Sequence, residues 1–269
     1  MNAQLGIVSK NILSLLDDLD TSEATCPPTT LYNEGWLLRL VLLAAERGIP
    51  CFPFSFEPGS RWFSEALLYS VFQARKRGDP FAESCTHADG VIGSFSFAAN
   101  SKTGLTLLPD CRQFIVCEAK IYSGLSAGTT KAPGFDQAAR NVACIAETLR
   151  LASREPKLLA SVGFYVLAPA SQIGLGRFSA EMSKDSIRSK VAARIRAYEP
   201  EYITTRLQPW FDRWFSPLLE TMEVGCISWE SILEVVGAQD AELGAGLNEF
   251  YARCLRYNGA PFNKLAAHT

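Results

Sequence analysis

The chain has 269 residues, 48% of them hydrophobic, which is enough for a sizeable core and suits one elaborated domain or two small ones. Its 26 Lys and Arg against 28 Asp and Glu leave a formal charge of -2, excluding any global attraction to nucleic acid or to an anionic membrane; a polyanion must meet a local basic patch. Eight cysteines without a C-x-x-C pair or zinc-like spacing exclude a disulfide-stapled miniprotein and point to free thiols in a reducing cytoplasm.

In chain order, Ile7, Leu13, Leu16 and Leu19 recur at rough helical spacing, without the basic-then-apolar order of a signal peptide. The break TSEATCPP precedes a second helix, for which Thr29 or Thr30 is the expected N-cap and Gly48 the stop. Its apolar stripe is Leu31, Leu38, Val41 and Ala45, and Glu34 falls on that stripe. Arg39 interrupts WLLRLVLLAAERG, which is too short for a bilayer span of roughly 20 apolar residues, so no membrane association is expected. After the loop GIPCFPFSFEPGS, RWFSEALLYSVFQARKRG reads as a third helix carrying Glu65.

ADGVIGSFSFAA alternates as a strand and, beyond the turns NSKTG and PDCR, QFIVCEAKI reads as a second strand that pairs with it. SGLSAGTTKAPG is a flexible loop. FDQAARNVACIAETLRLA is helical through Phe135, Val142, Ile145 and Leu149, and SVGFYVLAP is a buried strand reached by that crossover, which predicts a mixed sheet. The last hundred residues are mostly helical, with CISWESILEVV as a short strand leading into a helix. Within them Arg188, Lys190, Arg194 and Arg196 form the best local basic patch, suited to a phosphate backbone. Tyr202, Trp210, Phe211, Trp214 and Phe215 read as core or dimer packing rather than as a base-stacking surface.

FIVCEAK, residues 114–120, is the most informative stretch. Phe114, Val116, Glu118 and Lys120 share one face of a strand that is apolar on both faces up to Cys117, so the charged pair emerges at the sheet's end, where a crevice can form. Two readings are open: Glu118 and Lys120 neutralise each other, or they belong to a site with Asp89 of the preceding strand. Two carboxylates brought together repel unless a proton or a metal intervenes, and hard oxygen ligands select Mg²⁺. A divalent cation with a neighbouring lysine is the equipment of phosphodiester hydrolysis.

An acid on an early helix (Glu34), an Asp at a strand start (Asp89 in HADGVIG), E-x-K on the next strand (Glu118-Ala119-Lys120) and a following polar helix (Gln137 and Arg140 in FDQAARN) resemble the PD-(D/E)XK, or restriction-endonuclease-like, nuclease superfamily. The resemblance spans about residues 29–168, with Ala88 where the motif has proline. It implies an α/β fold with a restriction-endonuclease-like core, a four- or five-stranded mixed sheet flanked by helices, plus a helical C-terminal elaboration. Residues 1–28 are then an N-terminal extension, 29–170 the nuclease-like core, and 171–269 a mostly helical part packed on it.

The resemblance further implies Mg²⁺-dependent cleavage of nucleic acid, DNA before RNA, with Mn²⁺ able to substitute. Asp89, Glu118, the carbonyl of Ala119 and Glu34 would hold the metal, Lys120 would position the attacking water, and Gln137 would support the site. Arg140, Lys131, Arg188, Lys190 and Arg194 are the candidate substrate contacts, and a homodimer or partner protein is left open. Two alternatives stand beside this: Glu34 as an acid favoured by the helix dipole, with Glu65 as its competitor, and a non-catalytic binding module that keeps the nuclease fold.

Overall fold

The computed structural model describes residues 3–20, 24–83, 86–97, 101 and 104–259; the turn NSKTG falls partly outside these, and Cys85 and His268 lie outside them. Helix α1 (Ala3–Asp17) leads to α2 (Glu34–Glu46). The N-cap of α2 is Asn33, whose side chain accepts from the Trp36 N–H, because Pro28–Thr30 forms a 3-10 turn whose carbonyls at Thr29 and Thr30 take the Asn33 amide. Leu37, Leu38, Val41 and Leu42 are its buried stripe, each contributing about 1.5–3 kcal/mol of burial. Gly48, at φ +96°, supplies the left-handed residue that ends the helix.

Strand β1 (Arg61–Leu68) corrects the helix expected there. Ser64-Glu65-Ala66-Leu67 has good local helix formers, but the segment pairs antiparallel with β2 (Thr86–Gly93) from Arg61↔Gly93 to Leu68↔Thr86, and this pairing overrides propensity. A small hairpin, β3 (Phe95–Phe97) with β4 (Leu105–Leu107), links β2 to β5 (Gln113–Ala119). All seven residues of β5 are buried; burial was expected up to Cys117, and it extends through Glu118, which does not emerge at the strand's end. The loop read as flexible carries a second small hairpin, β6 (Gly128–Thr129) with β7 (Ala132–Pro133).

Helix α3 (Gln137–Leu151), capped by Asp136, crosses over to β8 (Ser161–Ala168), which runs parallel to β5. Then follow α4 (Ala170–Gly174), α5 (Lys184–Arg196) and a continuous helical rod. The rod is α6 (Pro200–Tyr202), α7 (Gln208–Trp210) and α8 (Ser216–Thr221), joined by π-helical turns Ile203–Leu207 and Phe211–Phe215. Each π turn lies immediately before a helical segment with a proline in its first turn, Pro209 and Pro217, whose missing N–H interrupts the regular ladder. Trp210, Trp214 and Phe215 are buried here, so the aromatic stripe is core. Strand β9 (Glu223–Ser228), α9 (Trp229–Gln239) and α10 (Ala241–Asn258) complete the order.

The main sheet has the order β1-β2-β5-β8-β9, antiparallel through its first three strands and parallel through its last three. It is therefore the five-stranded mixed sheet expected, although its fifth strand comes from residues 223–228, beyond the stretch 29–170. Phe114 and Val116 face a core shared with α3, α5 and the rod, while Ile115, Cys117 and Ala119 face one shared with α2, α9 and α10. Among the described residues seven cysteines form no disulfide, five of them buried. Among the described residues no helix is long and apolar enough to cross a membrane.

Candidate active site

The site exists because β2 and β5 part company. Their ladder ends at Gly90↔Cys117, which leaves Asp89 and Glu118 facing each other with no further strand pairing between them. The Asp89 Oδ2 then accepts the Ala119 N–H at 2.8 Å, taking the place of the missing strand carbonyl. On the other side, β5 stays pinned past its end: Lys120 N–H donates to the Leu167 carbonyl at 2.8 Å, the Lys120 carbonyl accepts from Trp229 Nε1 at 2.9 Å, and Gln172 Nε2 donates to the Ile121 carbonyl. A charged dipeptide step that would otherwise fray is thereby held rigid.

Glu118 is 1% exposed. Its Oε1 accepts from Lys120 Nζ at 2.7 Å and from Gln137 Nε2 at 2.5 Å, whereas its Oε2 is buried with no hydrogen-bond partner. Burial, reinforced by the neighbouring Asp89 charge and opposed by Lys120, raises the Glu118 carboxyl to about 8. One oxygen is thus fixed by two donors and the other is left bare beside a second carboxylate.

Gln137 is the first residue of α3, and it also clamps the loop before it. Its Oε1 accepts from the Ser126 N–H at 3.2 Å, its own N–H donates to the Ser126 carbonyl, and Arg140 Nη2 donates to Ser126 Oγ at 2.9 Å. The expected polar helix face therefore does meet the strand. Gln137 touches the carboxylate, and Arg140 stands one turn further, bound to the loop.

Asn33, Glu34, Gly35, Arg39, Glu65, Asp89, Ala119 and Lys120 line one cavity of about 430 Å³. Glu34 reaches it from the first turn of α2, so its helix-dipole position and its place at the cavity coexist. Gly90 permits this approach: a Cβ there would lie 3.0 Å from Leu42 Cδ1 and 3.1 Å from Leu38 Cδ2. Glu65, opposite Asp89 across the β1–β2 ladder, has φ +59° inside a strand and pairs with Arg39 at 3.4 Å, while Arg39 Nε donates to Ser64 Oγ at 3.0 Å. Both helix and strand acids proposed for the same role thus stand at one cavity.

Sequence reasoning missed Arg39 as a member of this wall. The available signal was a lone cation interrupting an otherwise apolar helix. It also missed Trp229 and Gln172, whose bonds to backbone carbonyls 109 and 51 positions away leave no local trace.

The remaining candidate substrate contacts are committed elsewhere. Arg194 is 6% exposed, pairs with buried Glu83 at 3.1 Å and donates to the Phe81 carbonyl. Lys190 pairs with Asp136, Arg188 with Glu220 at 2.6 Å, and Lys131 donates to the Asp79 carbonyl at 3.2 Å. The basic face of α5 is largely neutralised by acids from other elements. His87 is exposed on β2, two positions before Asp89.

The donor set suits a small hard cation. It offers carboxylate oxygens at Asp89 and Glu118, with the Glu118 Oε2 orphaned; Asp89, Ala119 and Glu34 line the cavity, and Glu118 lies buried behind it. Among the described residues no group of three or more His, Cys, Asp and Glu side chains is spaced to hold a metal ion, so most positions around a cation here would fall to water and substrate oxygens, as Mg²⁺ tolerates. No family model, curated protein or solved structure matches the chain.

Proposed function

We propose that this protein is a Mg²⁺-dependent phosphodiesterase acting on nucleic acid, DNA before RNA, in the manner of the PD-(D/E)XK nucleases that its motifs resemble. The observation that carries the reading is the buried, unpartnered Oε2 of Glu118 beside Asp89, with Lys120 and Gln137 fixing the other oxygen. A buried carboxylate oxygen left without a donor is costly unless a proton or a cation completes it, and a cation is what this reading assigns.

Asp89 and Glu118 would hold the ion, with Ala119 and Glu34 beside them. When bound, Mg²⁺ supplies a Lewis acid at the phosphoryl oxygen and makes water more acidic. The chain does the rest. Gln137 and Lys120 hold Glu118 in one orientation, the Asp89 bond to Ala119 fixes the second carboxylate, and the Lys120 ammonium would orient a water and stabilise charge developing on the phosphate. The free thiols suit a cytoplasmic setting.

Asp89→Ala and Lys120→Ala, shown folded by circular dichroism, are expected to lose at least about a hundredfold in cleavage of a labelled oligonucleotide with Mg²⁺ or Mn²⁺. Unchanged cleavage by either folded variant refutes the assignment. The second reading, a binding module without turnover, is favoured by the absence of a three-ligand cluster among the described residues. Mn²⁺ titration separates the two, since only the enzyme requires binding that disappears with Asp89→Ala and Glu118→Gln.

A further inference from the structure

Among the described residues, the two aromatic side chains most open to solvent are Trp36, 41% exposed, and Tyr122, 42% exposed. A single exposed aromatic needs no explanation. These two, however, stand two positions beyond Glu34 in α2 and two beyond Lys120 in the bend after β5, and Glu34 and Lys120 both line the cavity.

Trp36 sits in the first turn of α2 with the Arg39 guanidinium 4.9 Å from its ring centroid, and Arg39 itself lines the cavity. Tyr122 is fixed by its hydroxyl, which donates to the Leu255 carbonyl of α10 at 3.0 Å. The adjacent Cys254 Sγ donates to the Asn33 carbonyl at 3.6 Å, so α10 ties Tyr122 to the start of α2. Trp36 thus carries a guanidinium over its ring, Tyr122 is held by its hydroxyl, and each keeps about two-fifths of its surface open.

The cations make the complementary point. A duplex is held mainly through many phosphate contacts, and this chain has a formal charge of -2. The face best suited to such contacts, on α5, has Arg188, Lys190 and Arg194 in ion pairs. The cations lining the cavity are Arg39 and Lys120, themselves paired with Glu65 at 3.4 Å and Glu118 at 2.7 Å, with Glu34 and Asp89 beside them. A site with so few cations cannot grip the many phosphates of a duplex; one or two phosphates, with unstacked bases on nearby aromatic rings, suit it better.

We propose that Trp36 and Tyr122 are a stacking platform and that the substrate is a single-stranded nucleic acid, whose unpaired bases lie on these rings while Arg39 takes a phosphate. This rests on the phosphodiesterase reading of the site. A base in a duplex is already stacked on its neighbours and offers no free face.

The test measures binding to the full chain bearing Asp89→Ala, using a labelled single-stranded oligodeoxynucleotide and the duplex of the same sequence. The single strand should bind at least about tenfold tighter. Adding Trp36→Ala or Tyr122→Ala should weaken single-strand binding roughly ten- to a hundredfold, while Trp36→Phe and Tyr122→Phe retain most of it. The slope of log affinity against log salt should be no steeper than about -1.5, for two phosphates. Equal or tighter duplex binding, no binding, or Ala variants that bind normally overturn the proposal.

Wild-type cleavage with Mn²⁺, run in parallel, keeps the two readings apart. Ring-dependent single-strand binding without any cleavage upholds the platform and refutes the enzyme. Cleavage that depends on Asp89 but not on either ring does the reverse.

Discussion

At the scale of residues, Glu118 holds the tension of the site. Its folded-state value of about 8 lies above the ordinary 4.5, so between those limits the folded protein keeps a proton that the unfolded chain has released. Stability from this group is complete below about pH 4.5 and is lost as pH rises towards 8. Glu118→Gln removes the effect: an amide keeps an oxygen for Lys120 and Gln137 and presents no charge to Asp89. The variant should match the wild type in melting temperature near pH 4.5 and exceed it by a widening margin up to pH 8, measured by calorimetry. Mg²⁺ should raise the wild-type melting temperature more at pH 8 than at pH 6, because it must displace that proton, and should leave Glu118→Gln unmoved. The types and spacing of Asp89, Glu118 and Lys120 were legible because chemistry-bearing residues on one strand face announce themselves. Glu65 was named as the competitor of Glu34 but on a helix, since nothing local reveals a left-handed residue inside a strand.

At the scale of elements, α2, α3, β5 and β8 were legible from periodicity, and β1 was not. The segment Arg61–Leu68 has a helical sequence, and only its partner β2 makes it a strand. The basic stripe of α5 was correctly placed on a helix, yet its neutralisation was invisible. Lys190 meets Asp136 from 54 positions away, and Arg194 meets Glu83 from 111. The crossing of α9 and α10 offers a sharp test. A Cβ on Gly244 would fall 2.3 Å from the Gly237 Cα, so Gly244→Ala should destabilise by about 1–3 kcal/mol. Gly246, with open space around its Cβ position, is the control: Gly246→Ala should stabilise by up to about 1 kcal/mol through helix propensity. Denaturant unfolding distinguishes them. The disturbance in Gly244→Ala should reach the site, because Cys254 and Asn258 of α10 hold the carbonyls of Asn33 and Tyr32.

At the scale of the whole molecule, the α/β class and the mixed sheet followed from strands alternating with a crossover helix. What did not follow was that the sheet would be completed from near the end of the chain. Strand β9 pairs along β8 from Gly163↔Glu223 to Ala168↔Ser228, and the residue after it, Trp229, bonds the Lys120 carbonyl. A chain ended at residue 170 would bare the β8 edge and the apolar faces that α9 and α10 cover. It should aggregate or melt well below the full chain, and should show no Mn²⁺-dependent stabilisation; a soluble, metal-responsive fragment would contradict this picture.

That bond between Trp229 and Lys120 also sets an order in time. The acids and the lysine leave the ribosome early, but the strand carrying them is not pinned until Trp229 follows, nor is the start of α2 tied down until α10 is made. At about 5–20 residues per second, the 138 positions from Lys120 to Asn258 take roughly 7–30 s to synthesise. The strand end that carries Glu118 and Lys120 is thus made well before the residues that pin it, and it takes its folded form only after Trp229 and Cys254 have joined it.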